Sequence, residues 1–288
     1  MRKYIFLLAL ALCISGNAGI AFAQQGSFST LRIGTTNYTG KLDNIWEALL
    51  SHLQIKLGVK CSLVKANDLA QIQDQLKTKQ IEFAFLTPAD YLSASKQPGL
   101  DALAIQLLPD GSPGYYAVLV TKKSSGITTL DQAKGKSLGL VSKDSVSGFQ
   151  VQGYVLQKSL NQPLSALFSK TSFVGTHIGV ISGLQKGAFD VGATNTKDLK
   201  NSCKILNLDP AQFNIVWKSE LIPESIFAAR KDLPPELKKN FADALFSMNS
   251  EKKQLEAINI GGYAKPKEEY FSLIRGMQEY LQKQKIIY

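Results

Sequence analysis

Histidine is nearly absent from this 288-residue chain, which holds only His52 and His177, and cysteine is scarce, with three. Two histidines far apart and no closely paired cysteines exclude the usual zinc ligand sets, and no metal or other cofactor is expected. The serine frame of a hydrolase is missing too. Ser145 stands where the first glycine of a Gly-x-Ser-x-Gly elbow around Ser147 belongs. His177 could serve Ser147 as a base, but no acid is recognisably placed to orient it. Gly34-Thr35-Thr36-Asn37-Tyr38-Thr39-Gly40-Lys41-Leu42 is superficially a phosphate loop. It has five residues between its glycines instead of four, and Leu42 replaces the magnesium-binding hydroxyl. No catalytic residue is assigned, and the chain is not expected to be an enzyme. Lysine and arginine are scattered without aromatic interleaving, which argues against a nucleic-acid partner. After the N-terminal segment there is no apolar run long enough to span a bilayer.

What the chain does have begins at its N-terminus. Arg2 and Lys3 precede an apolar run over 4–13, and Ala21-Phe22-Ala23 sets small residues around a cleavage point before Gln24. Residues 1–23 therefore read as a secretory signal peptide. Leu12 does not suit lipid attachment at Cys13, so the mature chain is expected to be exported and soluble. About 265 residues then remain, enough for one large domain or two lobes. Loss of Arg2 and Lys3 leaves 31 basic against 23 acidic residues, a net charge of +8 that suits a collector of small anions. Cys61 and Cys203 are far apart and are expected to be unpaired, buried thiols.

Hydrophobic periodicity alternates along the chain as in an α/β protein. Strands are expected at 31–34, 59–64, 81–86, 115–121, 137–141, 171–174 and 188–193, and helices at 43–57, 69–79, 130–134, 149–158 and 177–186. Such alternation implies mainly parallel sheets, with ligands collecting at the carboxyl ends of strands. Two strand-like stretches, near 115–120 and 214–222, read as hinge strands between lobes. Lobe one would then comprise 24–116 and 220–288, and lobe two, 117–219, would be inserted within it. That is the plan of a hinged binding protein whose cleft closes on its ligand. Helices near 235–248 and 267–284 are expected to pack back on lobe one.

The stretch Lys143-Asp144-Ser145-Val146-Ser147-Gly148-Phe149 lies between a strand and a helix. Two serine hydroxyls, backbone N–H groups and a glycine at a helix N-terminus make a cradle for a tetrahedral anion. The serines would equally serve as plain helix caps. His177 has a bland reading as a helix-start residue, Thr87 as a strand terminator and Lys197 as a solvated lysine. Tyr115 and Tyr116 read as hinge packing, and Trp46 and Trp217 as core or lobe-interface residues.

Five motifs in order carry a resemblance. Phe85-Leu86-Thr87-Pro88-Ala89-Asp90-Tyr91, Asp110-Gly111-Ser112-Pro113-Gly114-Tyr115, Asp144-Ser145-Val146-Ser147-Gly148-Phe149, Gly175-Thr176-His177 and Val216-Trp217-Lys218-Ser219-x-Leu221-Ile222-Pro223 together resemble the phosphonate-binding proteins of bacterial ABC importers. The resemblance implies a two-lobed type II periplasmic binding protein that grips a phosphonate, phosphite or phosphate-like head group. It implies a periplasmic location, an ABC permease as partner, a monomeric chain and no catalysis. The family's Ser-Thr-Ser triplet corresponds to Ser145, Val146 and Ser147, followed by Gly148, and its head-group histidine to His177. Thr36 and Thr87 would close over the anion from lobe one.

Departures from the family pattern bear on the ligand's tail. Members that take aminoalkyl phosphonates place one acid after an Asn-Thr pair and another after the Leu-Ile-Pro turn. Here those positions fall on Lys197, after Asn195-Thr196, and on Ser225, with Glu224 as a substitute acid. Leu69 and Leu86 stand in for pocket aromatics. The expected ligand is therefore a compact oxyanion, or a phosphonate with an apolar or anionic tail, rather than 2-aminoethylphosphonate. Two other readings stay open at this point. The same fold can report its ligand to a membrane sensor, or the cleft can have drifted to another small ligand.

Overall fold

The computed structural model describes residues 28–36, 43–96 and 99–283. The expected signal peptide, 1–23, lies outside the described residues. In chain order the first elements are β1 (Thr30–Thr35), α1 (Asp43–Leu57), β2 (Lys60–Lys65), α2 (Leu69–Lys77), β3 (Phe83–Leu86), α3 (Pro88–Ala94), β4 (Leu100–Leu107) and β5 (Gly114–Lys122). Then come α4 (Leu130–Ala133), β6 (Ser137–Leu140), α5 (Val151–Leu160), α6 (Leu164–Leu167), β7 (Lys170–Phe173), α7 (His177–Lys186), β8 (Val191–Asn195) and α8 (Thr196–Leu206). The chain ends with β9 (Phe213–Pro223), β10 (Ile226–Arg230), α9 (Pro235–Ser247), α10 (Lys252–Ala257), β11 (Gly262–Ala264) and α11 (Ser272–Lys283).

The strands form two sheets, one ordered β11-β4-β10-β3-β1-β2 and the other β7-β6-β8-β5-β9. Apolar side chains at helical spacing in α1, Trp46, Leu49, Leu53 and Leu57, cover Leu31 and Ile33 of the first sheet together with Phe241 and Leu245 of α9. The rings of Phe83 and Phe241 stack there at 3.8 Å. Burial of each such side chain stabilises the fold by about 1.5–3 kcal/mol. In the second sheet the period of two is explicit along β5. Val118 and Val120 enter one apolar cluster with α7 and α8, while Leu119 enters the opposite one with Leu138 and Leu140.

The expectation of mainly parallel sheets is corrected, because both sheets are mixed. Four strand pairings among the described residues are parallel and five antiparallel. The antiparallel half comes from β4, β5, β9, β10 and β11, the strands on either side of the crossings between sheets. Three of these, β4, β10 and β11, were not expected from the sequence. Their alanine-rich, weakly β-forming composition leaves little signal, and tertiary pairing decides their conformation.

The chain passes from β4 to β5 and returns from β9 to β10, and these crossings run side by side. Gly114 pairs with Pro223 at the close of the β5–β9 ladder. A Cβ at Gly114 would collide with the Ile222 carbonyl oxygen and sit 2.8 Å from Pro223 Cα, so only glycine permits this approach. The Glu224 N–H donates to the Pro113 carbonyl at 2.9 Å, tying the two crossings together. Helix α11 does more than pack back on the first sheet. Its Ile274 and Met277 share an apolar cluster with Leu92 of α3, Ile226 of β10, and Ala117 and Tyr154 from the second sheet's side.

Strand direction fixes where polar loops gather. Ala117 of β5 pairs with Asn195, the last residue of β8, so the carboxyl ends of β6 and β8 meet the start of β5 and the end of β9. On the first sheet, Leu86 at the end of β3 pairs with Ile226 at the start of β10. Only Glu224 and Ser225 separate β9 from β10, so the loop-bearing edges of the two sheets meet at those two residues.

Candidate functional site

The serine loop folds into a wide helical turn at the end of β6. Ser145 is extended, and its Oγ accepts from the Gly148 N–H at 3.1 Å, which is the cap that serine provides at a helix start. Gln150 N–H then reaches back to the Ser145 carbonyl at 3.0 Å, an i to i+5 bond, before α5 continues regularly. Such wide turns recur at functional sites. Gly148 is required here for space, since a Cβ would lie 2.6 Å from Val141 Cβ and 2.8 Å from Ser145 Oγ. The first N–H groups of such a turn have no acceptor within the helix and present partial positive charge.

Ser147 is buried, and its Oγ accepts from Asn195 Nδ2 at 2.9 Å. The Tyr115 phenol is close enough to the same serine to feel its hydroxyl. The Ser147 carbonyl accepts from Gln152 Nε2 at 2.8 Å, and that buried amide also reaches the carbonyls of Thr194 and Val118 at 3.2 and 3.3 Å. One side chain thus ties the turn to β8 and β5. Asn195 is the N-cap of α8: its Oδ1 accepts from Asp198 N–H at 2.7 Å, and its Nδ2 also donates to Asp198 Oδ2 at 2.7 Å.

His177 opens α7 after the capping Thr176. Its Nδ1 is 2.9 Å from Thr194 Oγ1, and its Nε2 is 3.6 Å from Asp198 Oδ2. Burial lowers the pKa of this ring from its ordinary value; Asp198 opposes that shift and Lys197 adds to it. Burial first, and then the carboxylates Glu224 and Asp198, raise the Tyr115 phenol far above its ordinary range, so it stays a neutral donor. Ser147 and His177 do not form a nucleophile–base pair: the serine hydroxyl is held by Asn195 and the ring by Thr194.

Lys197 and Glu224 complete the cluster. Lys197 Nζ sits 2.5 Å from Glu224 Oε1 and 5.5 Å from the centre of the Tyr115 ring. The Ser225 N–H donates to Glu224 Oε2 at 3.3 Å, so the side chain delivered here is that of Glu224 and Ser225 supports it from the backbone.

The structure brings Ser145, Val146, Ser147, Gly148, His177, Asn195 and Lys197 together at one end of the second sheet. Thr36 and Thr87 lie at the carboxyl ends of β1 and β3 in the first sheet. The Thr87 hydroxyl is engaged in capping α3, accepting from Asp90 N–H and donating to Asp90 Oδ2 at 2.8 Å. Val146 packs against the apolar cluster shared by the sheets, which gives the valine in the triplet a structural use. Leu86 is fully buried and Leu69 packs beside it with Ile72 and Leu76, so both leucines belong to the core.

Sequence reasoning missed Asp198 and Thr194 and took Tyr115 for hinge packing. A signal for Asp198 was present: Asn195-x-x-Asp198, followed by Leu199, Cys203 and Leu206, is a capping pattern heading an amphipathic helix.

Two mixed α/β sheets joined by paired crossing strands, with polar loops meeting where the crossings run, are the architecture of a type II periplasmic binding protein. The chain belongs to the family of periplasmic substrate-binding proteins of phosphonate ABC transporters, whose sequence profile matches residues 35–271. It is 29% identical over 251 residues to the phosphonates-binding periplasmic protein of Escherichia coli, covering 81% of this chain and 73% of that one. It is 28% identical over 202 residues to the phosphate-import protein PhnD of Mycolicibacterium smegmatis, covering 67% and 63%. The binding component of an ABC phosphonate transporter from Pseudomonas aeruginosa superposes with a TM-score of 0.63 at 24% identity, over 88% and 87% of the two chains. A Prochlorococcus marinus protein solved with methylphosphonate gives 0.66 at 19% identity, over 89% and 99%.

Proposed function

We propose that this chain captures a phosphonate- or phosphate-like oxyanion in the periplasm and presents it to the permease of an ABC importer, without chemistry on the ligand. The observation that carries this reading is Ser147. Its buried hydroxyl is held by Asn195 at the mouth of a helical turn, and Asn195 and the His177 ring share Asp198. The N–H groups of the turn, the serine hydroxyls and the neutral imidazole are donors suited to a tetrahedral anion. The names of the relatives support that chemistry. In this reading lobe two, 117–219, holds the head group, and lobe one, 24–116 with 220–288, closes over it. The crossing strands near 115–120 and 214–222 serve as the hinge, and 1–23 directs export.

Thermal unfolding of the mature protein, stripped of bound ligand by unfolding and refolding, tests the reading against phosphate, phosphite, methylphosphonate and sulfate. A ligand at a hundred times its Kd adds about 2.7 kcal/mol, a rise in Tm of roughly 5–10 °C. A rise with a phosphorus oxyanion and none with sulfate is expected; no rise with any of them removes the assignment.

A further inference from the structure

Lys197 occupies an unfavourable place for a cation. It lies in the first turn of α8, where the partial positive charge of the helix end disfavours it. What holds it is Glu224, 2.5 Å away, whose side chain is only 6% exposed against 38% for the lysine. The face of Tyr115 lies 5.5 Å from the same nitrogen, and the adjacent Asp198 contacts both His177 and the Asn195 amide that holds Ser147. A buried carboxylate beside an aromatic face is a receptor for an ammonium group. The carboxylate supplies charge and acceptors, and the ring supplies its negative face. In this chain the receptor is filled from within.

We propose that Lys197 is a built-in ammonium occupying the tail end of the ligand pocket, so that the anion captured at Ser147 carries a short neutral tail or none. This rests on the head-group assignment above and names the class of ligand that site accepts. Charge decides the point. With Lys197 and Glu224 neutralising each other, a cationic tail finds its carboxylate taken and meets a second ammonium. An anionic tail fares no better than a neutral one. To gain Lys197 it must break a partly buried ion pair and leave Glu224 uncompensated, with Asp198 close by. A merely solvated lysine would not explain the arrangement, because its partner carboxylate is almost wholly out of water. The pair also joins α8 to the crossing between β9 and β10, which places it where the two loop-bearing sheet edges meet.

Titration calorimetry on the whole mature protein tests this with three ligands that share a head group: ethylphosphonate, 2-aminoethylphosphonate and phosphonoacetate. The wild-type protein is expected to bind ethylphosphonate tightest, with the amino compound weaker by ~10-fold or more. Lys197→Met keeps the alkyl stem against Tyr115 and frees Glu224, and it should reverse that preference to favour the amino compound by ~10-fold. Adding Glu224→Gln should abolish the reversal. Each ratio is measured within one variant, so a change in stability does not enter it, and Lys197→Ala serves if the methionine variant folds poorly. The proposal is overturned if the wild-type protein binds the amino compound or phosphonoacetate as tightly as ethylphosphonate, or if the variant leaves the ratio unchanged. Should the wild-type protein bind none of the three and no phosphate either, the head-group assignment fails and takes this proposal with it.

Discussion

Asn195 Nδ2 lies 2.9 Å from Ser147 Oγ, so the residue that caps α8 also fixes the hydroxyl at the mouth of the turn leading into α5. Two helix starts are locked to each other through one amide. Because the amide's oxygen does the capping and its nitrogen holds the serine, the two roles are separable by substitution.

Asn195→Asp retains a capping oxygen but replaces the donor with a carboxylate facing Ser147 and Asp198. The capping oxygen survives, but a buried carboxylate set against Asp198 in place of a donor should lower stability by about 1–3 kcal/mol. Affinity for methylphosphonate should fall by more than ~10-fold through repulsion and the lost orientation of Ser147. Chemical denaturation and calorimetry on the same sample check both halves.

The His177 ring supplies a pH signature. Burial, with Lys197 contributing, lowers its pKa below the ordinary value of 6.5 despite Asp198. Folding therefore favours the neutral ring, and the unfolded chain takes up the proton first. The stability this provides is complete above about pH 6.5 and is lost as pH falls through that value towards the lower folded pKa. Denaturation at pH 8 and at pH 5.5 should show the loss, and His177→Gln should reduce it. Proton NMR resolves the ring directly, because the chain has only two histidines. An anion bound beside Asp198 should move the His177 titration upward, since the imidazolium form then gains a partner.

Glu82 makes a structural counterpart away from the proposed site. Its carboxylate is 1% exposed, takes three bonds from Arg32, two from the guanidinium at 2.6 and 3.1 Å and one from the backbone N–H at 2.9 Å, and has Arg230 within 4.0 Å. Glu82→Ala removes the carboxylate that holds the Arg32 guanidinium and backbone N–H and leaves the buried Arg230 with Asp232 and the Ile81 carbonyl; it should cost about 1–3 kcal/mol, read as a lower denaturation midpoint. Anion affinity should stay unchanged, because Glu82 precedes β3 at the end opposite Thr87.

Cys61 and Cys203 are free and buried, and burial pushes the Cys61 thiol up to about 11. Neither should react with a thiol reagent in the native mature protein, and both should react after unfolding without reductant. Absence of thiols in the unfolded protein would show instead that they are joined.

The legible parts of this fold were those with strong local signals. Helix α7 was expected at the residues where it occurs, because Thr176 caps it and Val180, Ile181 and Leu184 recur on one face. The Ser145-to-Gly148 loop was legible because capping serines and a crowded glycine leave a mark in sequence. Helix α8 was overlooked, and with it Asp198, because its charged and polar residues mask an apolar face of Leu199 and Cys203. Lys197 was read as a free cation that would repel an ammonium group. Its pairing with Glu224 could not be read, since that contact spans 27 positions and depends on the return crossing. Ser225 was chosen over Glu224 for the same reason: which of two adjacent residues points inward is set by the turn after β9.

The central claim is that Ser147 holds the ligand's anionic head group, and titration of methylphosphonate into wild-type and Ser147→Ala protein tests it most directly. Loss of one charge-assisted hydrogen bond, about 1.5–3 kcal/mol, should weaken binding by ~10–100-fold, and the ligand-free Tm should fall by a few degrees because a buried Asn195 N–H loses its acceptor. Equal affinity in the two proteins, or no binding by the wild-type protein, would contradict the account.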